Sequence, residues 1–177
     1  MRNLFLSLVL LFCMSAFSYE VQNGAVVFST IVEGTGTIDE AHAVLESFFA
    51  SRYNDVNSTM RVNRSDALMY KGVFSGLGSF AMGSWTIDAT HIVDVTIKDG
   101  RVRIKILVAE AVMRSTTGSP YCYEYSVPDS PPFAPKCSNK SVNKKFCDEA
   151  FAEIVRRSEA LLSEVSAAFQ ISTDEDW

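Results

Sequence analysis

His42 and His91 are the only histidines in 177 residues, so acid–base and metal chemistry has few places to sit. His91 falls within the odd-numbered run Trp85, Ile87, Ala89, His91, Val93, Val95, Ile97, which puts its ring on the buried face of a strand. Glu110 lies diagonal to it on the return strand, where a carboxylate would orient the imidazole as in a proton-transfer dyad. His91 and Glu110 are thus the catalytic candidates, and a hydrolase-like enzyme is the alternative reading of the chain. No Ser-His-Asp or Cys-His spacing supplies a nucleophile, and structural pairs often mimic sites. A polar pair at the end of a sheet is the plainer account. His42, between Ala41 and Ala43, is expected on the solvent side of a helix.

The cysteines suggest a disulfide and no metal centre. Cys122, Cys137 and Cys147 follow the leader that contains Cys13; there is no C-x-x-C pair and no neighbouring histidine. Three thiols cannot all pair internally, and Cys137–Cys147 is the expected bridge, joining a proline-rich loop to the start of the last helix. No cofactor is expected. The run Gly72-Val-Phe-Ser-Gly76-Leu-Gly78 lacks the Lys and Ser/Thr of a phosphate loop and opens no helix, so it reads as a flexible connection. Tyr121, Tyr123 and Tyr125 are expected to cover an open end of the core.

The elements that must position these residues are organised by residues 85–112. Two-residue alternation through Ile97, then Asp99-Gly100, then reversed alternation through Val102, Ile104, Ile106 and Val108 is a long hairpin with a type I′ turn. A two-residue turn pairs Ile97 with Val102, Val95 with Ile104 and Val93 with Ile106. The same register sets Asp94 against Lys105 and Ile92 against Leu107 on the outer face, beside Arg103. Ile92, Asp94, Arg103, Lys105 and Leu107 therefore form the candidate binding surface, an apolar centre with a charged rim.

Elsewhere, residues 24–33 are rich in β-branched residues and read as a strand. Thr37-Ile-Asp-Glu40 has the spacing of a capping box, and Ala41, Val44, Leu45, Phe48 and Phe49 give helical periodicity over about 38–53. Two short strands are expected at 58–63 and 68–74. Residues 115–142 hold all five prolines and two cysteines, with a short strand at 121–127. A second helix starts near Asn143, its buried stripe marked by Phe146, Ala150, Ile154, Leu161, Val165 and Phe169. Residues 172–177 form an acidic tail. Two helices on one face of an antiparallel sheet is the economical way to bury these stripes, an α+β class.

The N-terminus reads as a signal peptide over 1–18: Arg2, the apolar run Leu4–Met14, then Ala16-Phe-Ser18. Cleavage would leave one domain over 19–171, with 15 Lys/Arg against 21 Asp/Glu, a net charge of −6. An acidic chain is a poor nonspecific ligand for nucleic acid or anionic membrane. The three Asn-x-Ser/Thr triplets carry little weight, because such triplets arise often by chance and would usually be silent if the exported protein were bacterial.

The "TIDEAHAVLESFFASRY" helix, the "DVTIKDGRVRIKI" hairpin, the leader and the trailing amphipathic helix together resemble exported bacterial proteins, common in Bacteroidota, that form a domain of unknown function with a TBP-like fold. The resemblance covers roughly residues 24–113; the segment 115–147 fits it least. It implies a β-α-β4-α order and a periplasmic or secreted location. It brings no activity and no catalytic residues, and a TBP-like fold does not imply DNA binding, because function belongs to sites. The expectation is a non-catalytic exported binding or envelope-associated module whose partner is a protein or envelope component.

Overall fold

The structure is a computed structural model that describes residues 19–34, 36–53, 59–80, 82–98, 100–118, 122–128 and 141–174. The leader, Asp99, Tyr121, Cys137, most of the proline-rich segment and the end of the acidic tail lie outside the described residues.

Among the described residues lie eight antiparallel strands and two helices: β1 Tyr19–Gln22, β2 Ala25–Glu33, α1 Ile38–Arg52, β3 Met60–Arg64, β4 Ala67–Phe74, β5 Ser79–Phe80, β6 Trp85–Lys98, β7 Arg101–Ser115, β8 Cys122–Ser126 and α2 Ser141–Asp174. The open sheet runs β1-β2-β7-β6-β4-β3, with β5 on β6 and β8 on β7. Both helices cover one face, α1 over β4 and β6, α2 over β2 and β7. This is the α+β arrangement expected, and one continuous core fills the space between the layers.

The β6–β7 hairpin is the spine. Its register pairs Ile97 with Val102, Val95 with Ile104, Val93 with Ile106 and His91 with Val108, as the alternation requires. The inner-facing members are buried and extend into Phe28 of β2 and into Leu68 and Tyr70 of β4. Gly100 takes φ +70°, the left-handed conformation that a tight hairpin turn demands. A further hairpin at the N-terminal edge joins β1 to β2 through Asn23 and Gly24, with φ 49° and 75°.

α1 begins as a capping box. The Thr37 amide donates to Glu40 Oε2 at 2.7 Å, and the Glu40 amide donates to Thr37 Oγ1 at 3.3 Å. Leu45 and Phe49 are its fully buried residues. His42 is not simply solvated: Nε2 lies 2.7 Å from Asn63 Oδ1, and Asn63 Nδ2 donates to Glu46 at 2.7 Å. These bonds tie α1 to the edge strand β3. α2 buries the expected stripe of Phe146, Ala150, Ile154, Leu161, Val165 and Phe169, and it starts two residues before Asn143. Cys147 is buried in its second turn.

Candidate functional site

His91 stands on the inner face of β6, where the end of α1 meets β4. α1 stops at Tyr53, which turns to an extended conformation (φ −104°, ψ 115°) while its amide still donates to Phe49 O at 3.0 Å. That turn brings the Tyr53 hydroxyl to 2.9 Å from His91 Nε2. One face of the imidazole stacks on Phe74, ring centroids 3.9 Å apart and planes 18° from parallel. Directly opposite on β4 is Gly72. A Cβ there would fall 2.6 Å from both Cε1 and Nε2 of His91 and 2.8 Å from Tyr53 Cε1. The space is available because residue 72 has no side chain.

Burial keeps this cluster uncharged. His91 is 3% exposed, and desolvation, aided by nearby Arg52, lowers its pKa to about 4. Burial likewise raises the Tyr53 hydroxyl to about 12, Arg52 opposing slightly. The bond thus joins two neutral groups at pH 7. Nδ1 of His91 is buried with no hydrogen-bond partner among the described residues. Either tautomer therefore leaves one imidazole nitrogen unsatisfied, at a cost of about 1–3 kcal/mol.

Glu110 is not that partner. The ladder slips between Thr90 and His91: Thr90 opposes Glu110, while His91 opposes Val108. Ala109 is the extra residue of a β-bulge, and its carbonyl accepts from the Val127 amide at 2.9 Å. Here β7 changes partner, from β2 up to Val108 to β8 from Glu110 onward. The bulge reverses the parity, so Glu110 shares the outer, exposed face with Thr90 and Ala111 turns inward. The dyad expected from strict alternation does not form, and His91 is a clamped, neutral ring.

Beside it opens a cleft of about 690 Å³. Its floor and walls are Tyr53, Phe74, His91, Val73, Ala160 and Leu161; its rim carries Arg52, Arg156, Arg157 and Glu164. An ion pair between Arg52 and Glu164 links α1 to α2, and Arg157 of α2 donates to Ser75 O at 2.7 Å. Arg156 and Arg157 share one carboxylate, Glu153, with bonds of 2.6–2.8 Å, and those bonds hold the Glu153 carboxyl at about 2.

The outer face of the sheet is ordered in rows. Val27, Leu107, Ile92 and Lys71 form one across β2, β7, β6 and β4; Ser29, Lys105, Asp94 and Met69 form the next; Ile31, Arg103, Thr96 and Ala67 the third. Ile92, Asp94, Lys105 and Leu107 are half-buried, and Arg103, bonded to Thr96 Oγ1 at 3.3 Å, is exposed. Ile31 is 61% exposed and borders a 220 Å³ hollow with Thr96, Lys98, Arg101 and Arg103. The five residues expected to form a surface are thus brought together.

Tyr53 and Gly72 were not legible as site residues. Gly72 had a signal, since a glycine inside a strand pattern marks a close approach; Tyr53 had none. Of the tyrosine stripe, Tyr125 is buried opposite Ala111, and Tyr123 is exposed, its ring 5.9 Å from Trp85. Among the described residues, no three His, Cys, Asp or Glu side chains gather as a metal site would require, and no helix is long and apolar enough to cross a membrane.

Neither the protein-family models nor the curated sequences give a match to this chain. Solved structures do. A TBP-like protein from Parabacteroides distasonis is similar over 85% of this chain and 96% of its own, with TM-score 0.61 and 16% identity. A DUF4468 family protein from Bacteroides ovatus is similar over 85% and 90%, with TM-score 0.58 and 18% identity. At such identities the likeness is one of fold: the chain has the TBP-like α+β fold of these Bacteroidota proteins.

Proposed function

We propose that the protein is an exported, non-catalytic binding module, working in the periplasm or outside the cell, and that it holds an acidic protein partner on the outer face of its sheet. The carrying observation is the half-buried pair Leu107–Ile92, backed by buried Val27 and bordered by Lys71, Lys105, Arg103, Arg101 and Lys98. This face sets five cations against Asp94 and Glu33 in a chain of net charge −5, and complementary charge steers partners while an apolar centre supplies affinity. Export is supported by Arg2, the apolar run Leu4–Met14 and Ala16-Phe-Ser18. A Cys137–Cys147 disulfide belongs to the same reading, because an oxidising compartment permits it.

Affinity capture from an envelope extract, repeated with the captured partner purified, tests the surface. Ile92→Ser with Leu107→Ser should leave the melting temperature within a few degrees of wild type yet weaken the partner's binding, and added salt should weaken it further. Retention of the partner at wild-type strength by the double variant rejects this face as the site.

A further inference from the structure

We infer that the cleft beside His91, on the opposite side of the sheet from the proposed protein-binding face, is a site for a small amphipathic carboxylate. The argument begins with charge. Three guanidiniums, Arg52, Arg156 and Arg157, meet two carboxylates, Glu164 and Glu153, so the rim keeps one positive charge in excess. Glu164 is engaged by Arg52, and Glu153 is divided between Arg156 and Arg157. A guanidinium has five N–H donors. Arg156 spends two nitrogens on Glu153, and Arg157 spends one on Glu153 and one on Ser75 O. Each therefore has a terminal nitrogen left for a second anion. Paired guanidiniums with open N–H groups suit a planar carboxylate, which accepts two parallel bonds.

The rest of the cleft is apolar. Tyr53 and Phe74 line it on the sheet side and Ala160 and Leu161 on the α2 side. An apolar body of some ten carbon atoms fits within 690 Å³. The Arg52–Glu164 pair links α1 to α2, and the Arg157–Ser75 bond links α2 to the chain after β4, both beside the cleft. His91 is not a ligand group: its Nε2 is occupied by Tyr53, and it supports the floor as a stacked ring.

Calorimetric titration with 3-phenylpropionate, its uncharged amide and 3-phenylpropylamine tests the inference, with backbone amide NMR shifts to locate binding. The expected result is saturable binding of the acid, with shifts at Phe74, Ala160 and Leu161. The amide, and the acid on Arg156→Gln/Arg157→Gln, should bind at least about tenfold more weakly, as loss of a charge-assisted pair implies. Ala160→Trp, which fills the cleft, should abolish binding. If the double variant does not fold, Arg156→Gln alone, at a side chain 67% exposed, carries the comparison. No saturable binding by wild type, equal affinity for acid and amide, or shifts confined to the outer face would each overturn the assignment. The variants leave the outer face untouched, so failure here is separable from failure of the protein-binding reading.

Discussion

Gly72→Ala is the sharpest perturbation of the His91 cluster. In a strand an added methyl normally stabilises, by roughly 0.5–1 kcal/mol, because glycine loses more conformational freedom on folding. At residue 72 the methyl carbon would stand 2.6 Å from two atoms of the His91 ring and 2.8 Å from Tyr53, well inside van der Waals contact. The ring cannot slide away, because Phe74 stacks on its face and Tyr53 holds Nε2. Overpacking of this kind costs about 1–3 kcal/mol, and breaking the buried Tyr53–His91 bond adds about 1–3 kcal/mol. Against the small entropic gain, the net expectation is a loss of about 3 kcal/mol, a fall in Tm of about 6–12 °C for a domain this size. Thermal and urea unfolding measure it. The decisive experiment is the double-mutant cycle: in a His91→Ala background, where the ring is gone and Tyr53 is untethered, Gly72→Ala should cost at least about 1.5 kcal/mol less. A neutral Gly72→Ala, or the same cost in both backgrounds, would refute the reasoning.

Because the His91 pKa is lowered to about 4 in the fold from 6.5, the unfolded chain binds its proton first as pH falls. Its stabilising contribution is complete above pH 6.5 and is lost between 6.5 and about 4, up to roughly 3 kcal/mol; urea midpoints across that range should show a slope that His91→Gln flattens. Val95 is fully buried on the inner face, so Val95→Asp should destabilise by several kcal/mol, whereas Thr96→Asp should cost far less; equal melting curves would reject the proposed faces. Thr37→Ala should lower stability by about 1 kcal/mol through loss of the α1 cap, read from the urea midpoint. Mass spectrometry of an unreduced digest should find Cys137 joined to Cys147, a link worth roughly 2–3 kcal/mol by loop-closure entropy; a Cys122 linkage or three free thiols would contradict it.

What lay open in the sequence was local. Strand alternation, the Asp-Gly pair and the Thr37–Glu40 box each report an interaction within a few residues, where pleat, turn and helix geometry are set by the backbone. The hairpin register and the α1 start could therefore be read directly, and with them the outer surface, since a correct register fixes every side chain's face. The Asn-Gly turn of the β1–β2 hairpin is the same kind of signal, but the four residues before it, next to the leader's expected end, are too few to show an alternation.

The His91 cluster was decided by tertiary structure. Alternation extrapolated past Val108 put Glu110 beside His91, but β7 must leave β2 and take up β8 at that point, and the one-residue bulge that absorbs the change reverses every face beyond it. Small Ala109 and Ala111 on either side of Glu110 gave no contrast to mark the slip. Tyr53 reaches His91, 38 residues away in sequence, only because α1 packs over β4 and β6 and ends there. Gly72, read as the start of a flexible run, is buried within β4 and yields its side-chain volume to a ring from the next strand. Patterns of period 2 and 3.6 record which side of an element meets the core; which atoms meet there is settled by how the layers stack.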